Sequence, residues 1–471
     1  MGLLNGLTFR DSRSGSKYKI IFPPLKAKLF LMESSNGLHL MMEKSNTSGR
    51  SYFKVGLVIL IFFVISFFTN ILGALNPSVS DSFSLSKTMA GFLPFSFFIA
   101  YGIMSIPSGF LVEKYREKKM LMAAFLLSLL GALLFAFLPG FRVYVISLFT
   151  IGAGMAMLQV IINPLLRVAG GEENYAFFSV MAQLVFGLAS FVSPKMYSWV
   201  VLHIHGEESA GDGLAGLLER LVPTDLSWVG VYWIFAIISL AMVLLILSTR
   251  FPRVELKEDE KVGTAQIYRE LFRNRTVILF FLGIFTYVGT EQGVSYWMSR
   301  FLFDYHGYDY ETTGANAVAN FWGLMTVGGI LGLLLLKLFD SKRVLMWFTL
   351  ISILSLGLGL FGPRSVSLYA FPAVGFFMSV MYPIIISLAL NSVDRHHGAF
   401  AGILMTGIMG GAVVQVLIGG LADVTTLRVA MLVNFVTLGY ILSISIWARP
   451  LVKNKVIKLG RKKAAGSAGG H

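Results

Sequence analysis

Glu291 is the residue of this 471-residue chain whose position most demands a chemical explanation. It stands near the middle of an apolar run, Thr276–Leu302. A carboxylate at that depth in a bilayer costs on the order of 3 kcal/mol to insert, so it belongs against a protein interior or a water-filled cavity. Tyr287 and Ser295 lie four residues to either side, on the same helix face, where their hydroxyls could hydrogen-bond it. Gln292 follows directly and points about 100° away. Such a carboxyl can bind a polar solute, carry a proton, or help ligate a cation together with carbonyls or amides. The plain alternative is a protonated carboxyl bonded to a neighbouring helix.

The other polar residues in apolar surroundings are amides. Gln159 and Asn163, four apart, share one helix face. Pro164 has no N–H to give the carbonyl of Val160, so that face offers two amides and a carbonyl. Amides both donate and accept, which suits neutral hydroxylated ligands; otherwise they bond helix to helix. Gln183 and Asn70 stand in similar apolar settings. Asn320, Trp322, Asn391 and Gln415 are weaker candidates, and Trp297, Trp322 and Tyr382 could stack on an apolar ligand face. Lys195 is read as snorkelling to the interface and Arg167 as a topology or gating residue. No metal spacing, cysteine or P-loop is present, so a metal centre, a disulfide and ATP hydrolysis by this chain are not expected.

The elements that must position these residues are membrane spans. The chain is 55% hydrophobic and 14% charged, where soluble domains carry roughly a quarter charged residues. Twelve apolar runs approach the roughly 20 residues a spanning helix needs: Tyr52–Leu75, Met89–Val112, Met120–Leu138, Val143–Leu166, Ala176–Val201, Val229–Ser248, Thr276–Leu302, Ala315–Leu336, Val344–Phe361, Leu368–Asn391, Gly398–Leu421 and Arg428–Trp447. Residues 1–51 form an expected cytoplasmic segment, read either as a mis-assigned start before Met41 or Met42 or as a basic tail; residues 449–471 form a basic tail.

Net charge is +14. With an even number of spans both ends share one face, and that face holds 32 of the 39 Lys and Arg. The other seven are Lys87, Arg142, Lys195, Arg220, Arg300, Arg364 and Arg428. This asymmetry puts the basic face, with both termini, in the cytoplasm and explains the charge without nucleic acid. The acidic loop His203–Ser227 is then outside. The linker 249–275 divides the chain into six-span halves, 52–248 and 276–448, and repeated halves point to a secondary transporter with a midplane site. Loops at equivalent places, Gly109–Lys119 and Leu336–Arg343, each set an acid beside basic residues. Glu113, Lys114, Arg116, Asp340 and Arg343 are therefore expected gate elements.

The first of these loops resembles the major facilitator superfamily pattern Gly-x-x-x-Asp-Arg-x-Gly-Arg-Arg, with Glu113 as the acid and Arg116 where Gly is usual. Leu158–Pro164, Met181–Gln183, Tyr287–Glu291, Met378–Pro383 and Gly410–Asp423 resemble the fucose:proton symporter family, which includes fucose, glucose/galactose and N-acetylglucosamine permeases. The resemblance covers roughly residues 52 to 447 and implies that Asn70, Gln159, Asn163 and Gln183 line a sugar cavity. Two departures matter. Leu72-Gly73 replaces an Asn-Asp pair of the fucose symporter pattern, and Gln159 stands where that pattern has Glu. The carboxylates tied to proton coupling there are missing here.

The expected fold is all-α: twelve transmembrane helices in two pseudo-symmetric six-helix bundles. The expected function is secondary transport of a monosaccharide or sugar derivative by alternating access, with ion-coupled import. Glu291, Gln292, Asn320, Trp322 and Gln415 would join the four implied residues as ligands, and Glu291 would couple a proton or sodium ion. No cofactor is expected, the surroundings are the lipid bilayer of a bacterial inner membrane, and the chain is expected to act as a monomer. The alternatives are a sugar uniporter, an exporter of another polar solute, or a non-transporting receptor-like protein. An enzyme has least support, because Glu291 has no partner acid, nucleophile or metal.

Overall fold

The computed structural model describes residues 8–10, 17–19, 52–171, 174–204, 213–249, 251 and 265–451. Met41, Met42, the loop acids Glu207, Glu208 and Asp212, most of the linker 249–275 and residues 452–471 of the basic tail lie outside them. Thr8–Arg10 pairs antiparallel with Lys17–Lys19; the other described elements are helices.

Among the described residues twelve helices are long and apolar enough to cross a membrane: spans 1 to 12 are Tyr52–Ser82, Lys87–Tyr115, Glu117–Phe137, Phe141–Gly170, Phe177–His203, Thr224–Ser248, Arg275–His306, Tyr310–Leu338, Ser341–Phe361, Arg364–Leu390, His397–Val424 and Leu427–Trp447. They form the two six-helix bundles of the expected fold. Several outrun their apolar core at one or both ends, because a helix continues through interfacial residues wherever its backbone bonds can still be made.

Four spans are interrupted, one of them span 12 at Met431–Leu432, between helices Leu427–Ala430 and Val433–Trp447. Span 1 tightens at Asn70–Ile71, where the Ala74 N–H bonds Ile71 O only three residues back. Span 10 is broken at Ser379–Val380, between helices Arg364–Met378 and Met381–Leu390. Pro383 removes the donor that the Ser379 carbonyl would otherwise receive, and the Ser379 hydroxyl turns back to Phe376 O at 2.7 Å. Span 11 passes through a single 3₁₀ turn, Gly407–Met409. Non-helical backbone at membrane depth is tolerated where it is buried in protein or lines a cavity.

The halves meet at the face farther from Tyr52 and Leu451, here the far end. Gly73 of span 1 lies against the Ser295 carbonyl of span 7, Gly91 of span 2 against the Gln415 carbonyl of span 11, and Gly419 of span 11 against the Lys87 carbonyl. No side chain fits at these contacts. Asn76 donates to Tyr296 O at 3.0 Å, and the Tyr296 hydroxyl donates to Ala90 O at 2.6 Å. The far end is therefore closed.

At the near end each half has its own cross-tie, and span 2 also packs on the His397–Thr406 part of span 11, with Tyr268 against Phe110 and Gly402. Lys118, opening span 3, donates to Leu247 O and Thr249 O at the end of span 6. Lys342, opening span 9, donates to Ile446 O and Ala448 O at the end of span 12. An ammonium at a helix C-terminus satisfies orphan carbonyls and complements the dipole. The same contact at the same place in both halves is a direct mark of the repeat.

Candidate functional site

Glu291 sits sixteen residues from the start of span 7 and fifteen from its end, hence at mid-membrane. Tyr287, one turn earlier, donates its hydroxyl to Glu291 Oε1 at 2.7 Å. The Tyr287 ring lies 5.6 Å from that of Tyr382, in the first turn after the break in span 10. Interrupted helices commonly place half-helix ends and free carbonyls at a transporter's binding site. The carboxyl, the phenol and the start of the second half-helix thus form one cluster. The expected second hydroxyl is absent from it: Ser295 is buried against Gly73 and donates to Gln292 O at 3.5 Å.

Gln159 is half-buried, and Asn163 and Gln183 are exposed. None of the three makes a hydrogen bond to another described residue. An unpaired amide cannot be left to lipid, since each unsatisfied polar group there costs several kcal/mol.

The remaining expected ligands are placed otherwise. Asn70 is buried at the break of span 1 and donates to Ser190 Oγ at 2.8 Å and Ser66 Oγ at 3.2 Å. Ser66 Oγ is 2.6 Å from Ser190 Oγ. Asn70 therefore ties span 1 to span 5 instead of facing a cavity, because hydroxyls on both helices lie within its reach. Gln292 is buried where spans 2, 7 and 11 meet, beside the Gly411 backbone. Gln415 is fully buried in the interface with span 2, and neither amide atom has a partner. Trp322 is buried with its ring edge on Phe321 and its Nε1–H unpartnered. Asn320, two residues away and so on the opposite helix face, opens into a groove with Leu184, Leu188 and Tyr369. The structure does not bring Asn320 and Trp322 to one site.

The expected gate residues lie at the near ends of spans 2 and 9. Asp340 caps span 9, accepting from the Lys342 N–H at 3.0 Å. Arg343 is exposed, and Lys114 lies over the Tyr115 ring. Glu113 faces Tyr268 of the linker helix Ala265–Arg273, whose phenol is raised above its ordinary pKa by burial and by that carboxylate. Arg116 adopts φ 69°, ψ 161°, a region almost reserved for glycine, which accounts for Gly being usual there.

The charges that cross between halves are at the far end. Arg300 pairs with Asp81 at 2.6 Å and with Asp304 at 2.9 Å, and Lys87 pairs with Asp304 at 2.8 Å. Asp423 accepts from Lys87 N–H at 2.8 Å, Thr88 N–H at 2.9 Å and the Thr88 hydroxyl at 2.5 Å. Lys87 and Arg300 are two of the seven basic residues on the sparsely charged face, and that exception was the available signal for this latch.

Among the described residues no cluster of His, Asp and Glu is arranged for a metal. Two helical bundles closed on each other at one end, with a carboxyl midway along span 7, have the architecture of a membrane transporter. Residues 58–415 match the Major Facilitator Superfamily, and the chain belongs to that family. It is 29% identical over 417 residues to the glucose/galactose transporter of Brucella abortus, covering 87% of this chain and 96% of that one. It is 26% identical over 405 residues to the L-fucose-proton symporter of Escherichia coli, covering 81% and 90%. Among solved structures, the E. coli fucose symporter in its outward conformation superposes with TM-score 0.62 at 24% identity, covering 84% of this chain and 98% of that one. An inward-facing bacterial homolog of the human lysosomal transporter Spinster gives 0.68 at 14% identity, covering 84% and 96%.

Proposed function

We propose that the chain carries a monosaccharide, or a neutral derivative of one, into the cell, and that Glu291 couples this movement to a proton or sodium ion. The observation that carries the reading is the Glu291–Tyr287 pair at mid-membrane beside the break in span 10. The similarity to glucose/galactose and fucose transporters supports the substrate class. Asn163, Gln183 and Gln159 are the proposed hydroxyl-binding amides. The basic near face is the proposed cytoplasmic one in a bacterial inner membrane, so the far-end latch closes toward the outside.

The missing carboxylates favour one second reading, uniport. Gly73 stands where the fucose symporter pattern has an acid, and the Ser295 carbonyl fills the space its side chain would need. Any coupling in this chain must therefore run through a different group, and without one the protein only equilibrates its substrate. Uptake of a labelled monosaccharide panel into proteoliposomes tests the substrate class. Saturable uptake of at least one sugar, with KM raised about tenfold or more by Asn163→Ala or Gln183→Ala, is the expected result; loss of one hydrogen bond of about 1.4 kcal/mol corresponds to that factor. Absence of uptake for every sugar would refute it.

A further inference from the structure

A groove of about 490 Å³ runs along the outer surface of the bundle between spans 5, 8 and 10. Leu184, Leu188 and Phe191 form one wall, Asn320, Leu324 and Val327 the other, and the floor includes Gly187 and Gly323, packed on Thr326 and Phe191. Its surface is almost wholly apolar, yet two features are out of place for a wall facing plain hydrocarbon. The Asn320 amide is exposed within it and makes no hydrogen bond to a described residue. At the far-end rim the exposed Lys195 ammonium lies 5.0 Å from the Phe191 ring centroid and donates to Asn316 Oδ1 at 3.0 Å. No carboxylate among the described residues pairs with Lys195. An ammonium has three donors, so two remain for an external acceptor.

The spacing gives the occupant its length. Lys195 and Leu184 are eleven residues apart on one helix, about 16 Å at 1.5 Å per residue. Half of a hydrocarbon core of about 30 Å is the depth of one leaflet. Lys195 stands eight residues, about 12 Å, inside the far end of span 5, where a lysine snorkels toward the interface, so the groove offers an apolar channel reaching past mid-membrane, a positive charge toward its headgroup end and an amide part-way down.

We propose that this groove binds one anionic diacyl phospholipid of the far-end leaflet. Its phosphate sits on Lys195 and Asn316, one acyl chain lies between spans 5 and 8, and the Asn320 amide takes an ester carbonyl. The lipid holds together the span 5–span 8 seam, which joins the two halves through Gly187 and Thr326 and through Lys195 and Asn316.

Native mass spectrometry of the purified full chain tests this, with palmitoyl-oleoyl phosphatidylglycerol and phosphatidylcholine titrated separately. The wild type should bind a first equivalent of phosphatidylglycerol at least fivefold more tightly than phosphatidylcholine. Lys195→Gln should bring the two lipids level. Leu188→Trp, which fills the groove from an exposed position, should remove the first tight equivalent of both while the melting temperature shows an intact fold. A preference that survives Lys195→Gln, a first equivalent that survives Leu188→Trp, or a dimer that buries the groove would each overturn the proposal.

Discussion

The Tyr287 hydroxyl reaches Glu291 at 2.7 Å across one turn of span 7. Tyr287 is 3% exposed, so the bond is made where water competes weakly. A hydrogen bond to an ionised group contributes about 1.5–3 kcal/mol. Tyr287→Phe should therefore keep expression and melting temperature near wild type but slow gradient-driven accumulation roughly ten- to hundredfold. Unchanged accumulation would mean that the phenol does not tune the carboxyl.

The far-end latch should set the balance between the two faces. Arg300 serves Asp81 and Asp304 together. Exposed pairs contribute about 0.2–1 kcal/mol each, so Arg300→Gln should shift the equilibrium by several-fold toward an open far end. The chain contains no cysteine, so spin labels at Ser84→Cys and Tyr308→Cys report the separation without background. The long-distance population should grow in Arg300→Gln; an unchanged distribution in the variant contradicts the assignment.

Arg116 holds φ 69°, ψ 161°. Such a conformation costs a residue with a Cβ about 1–3 kcal/mol. Arg116→Gly should raise the melting temperature in detergent, while Arg116→Val should lower it. A Gly variant less stable than wild type would show that the Arg116 side chain contributes more than its backbone costs.

Gln415 separates a ligand from a buried structural residue. Both its amide atoms are buried without partners, and such a group costs about 1–3 kcal/mol. Gln415→Leu should stabilise the closed far end, raising the melting temperature and leaving substrate KM within about twofold. A tenfold rise in KM would place Gln415 in the substrate's path.

The spans, the repeat and the mid-membrane position of Glu291 were legible because hydrophobic length and buried charge are one-dimensional signals. Tyr287 was legible too, since four-residue spacing on a continuous helix fixes a neighbour. Its symmetric counterpart Ser295 was not, because the Gly73 backbone, more than two hundred residues away in sequence, takes that face. The partners of Asn70 were hidden for the same reason: Ser66 and Ser190 are set by the packing of span 1 on span 5. The basic loops suggested gates by analogy, yet Lys118 and Lys342 cap helices within their own halves. The latch of Asp81, Lys87, Arg300, Asp304 and Asp423 depends on which ends meet across the halves, and no local pattern carries that.

The central claim is that Glu291 couples transport to an ion. It is tested most directly by comparing wild type and Glu291→Gln in proteoliposomes with imposed proton or sodium gradients, measuring both net accumulation and counterflow of a labelled sugar. The account predicts that one gradient drives accumulation in the wild type, and that Glu291→Gln loses this while keeping counterflow. Accumulation that survives in Glu291→Gln, or wild-type uptake that ignores both gradients, would contradict it.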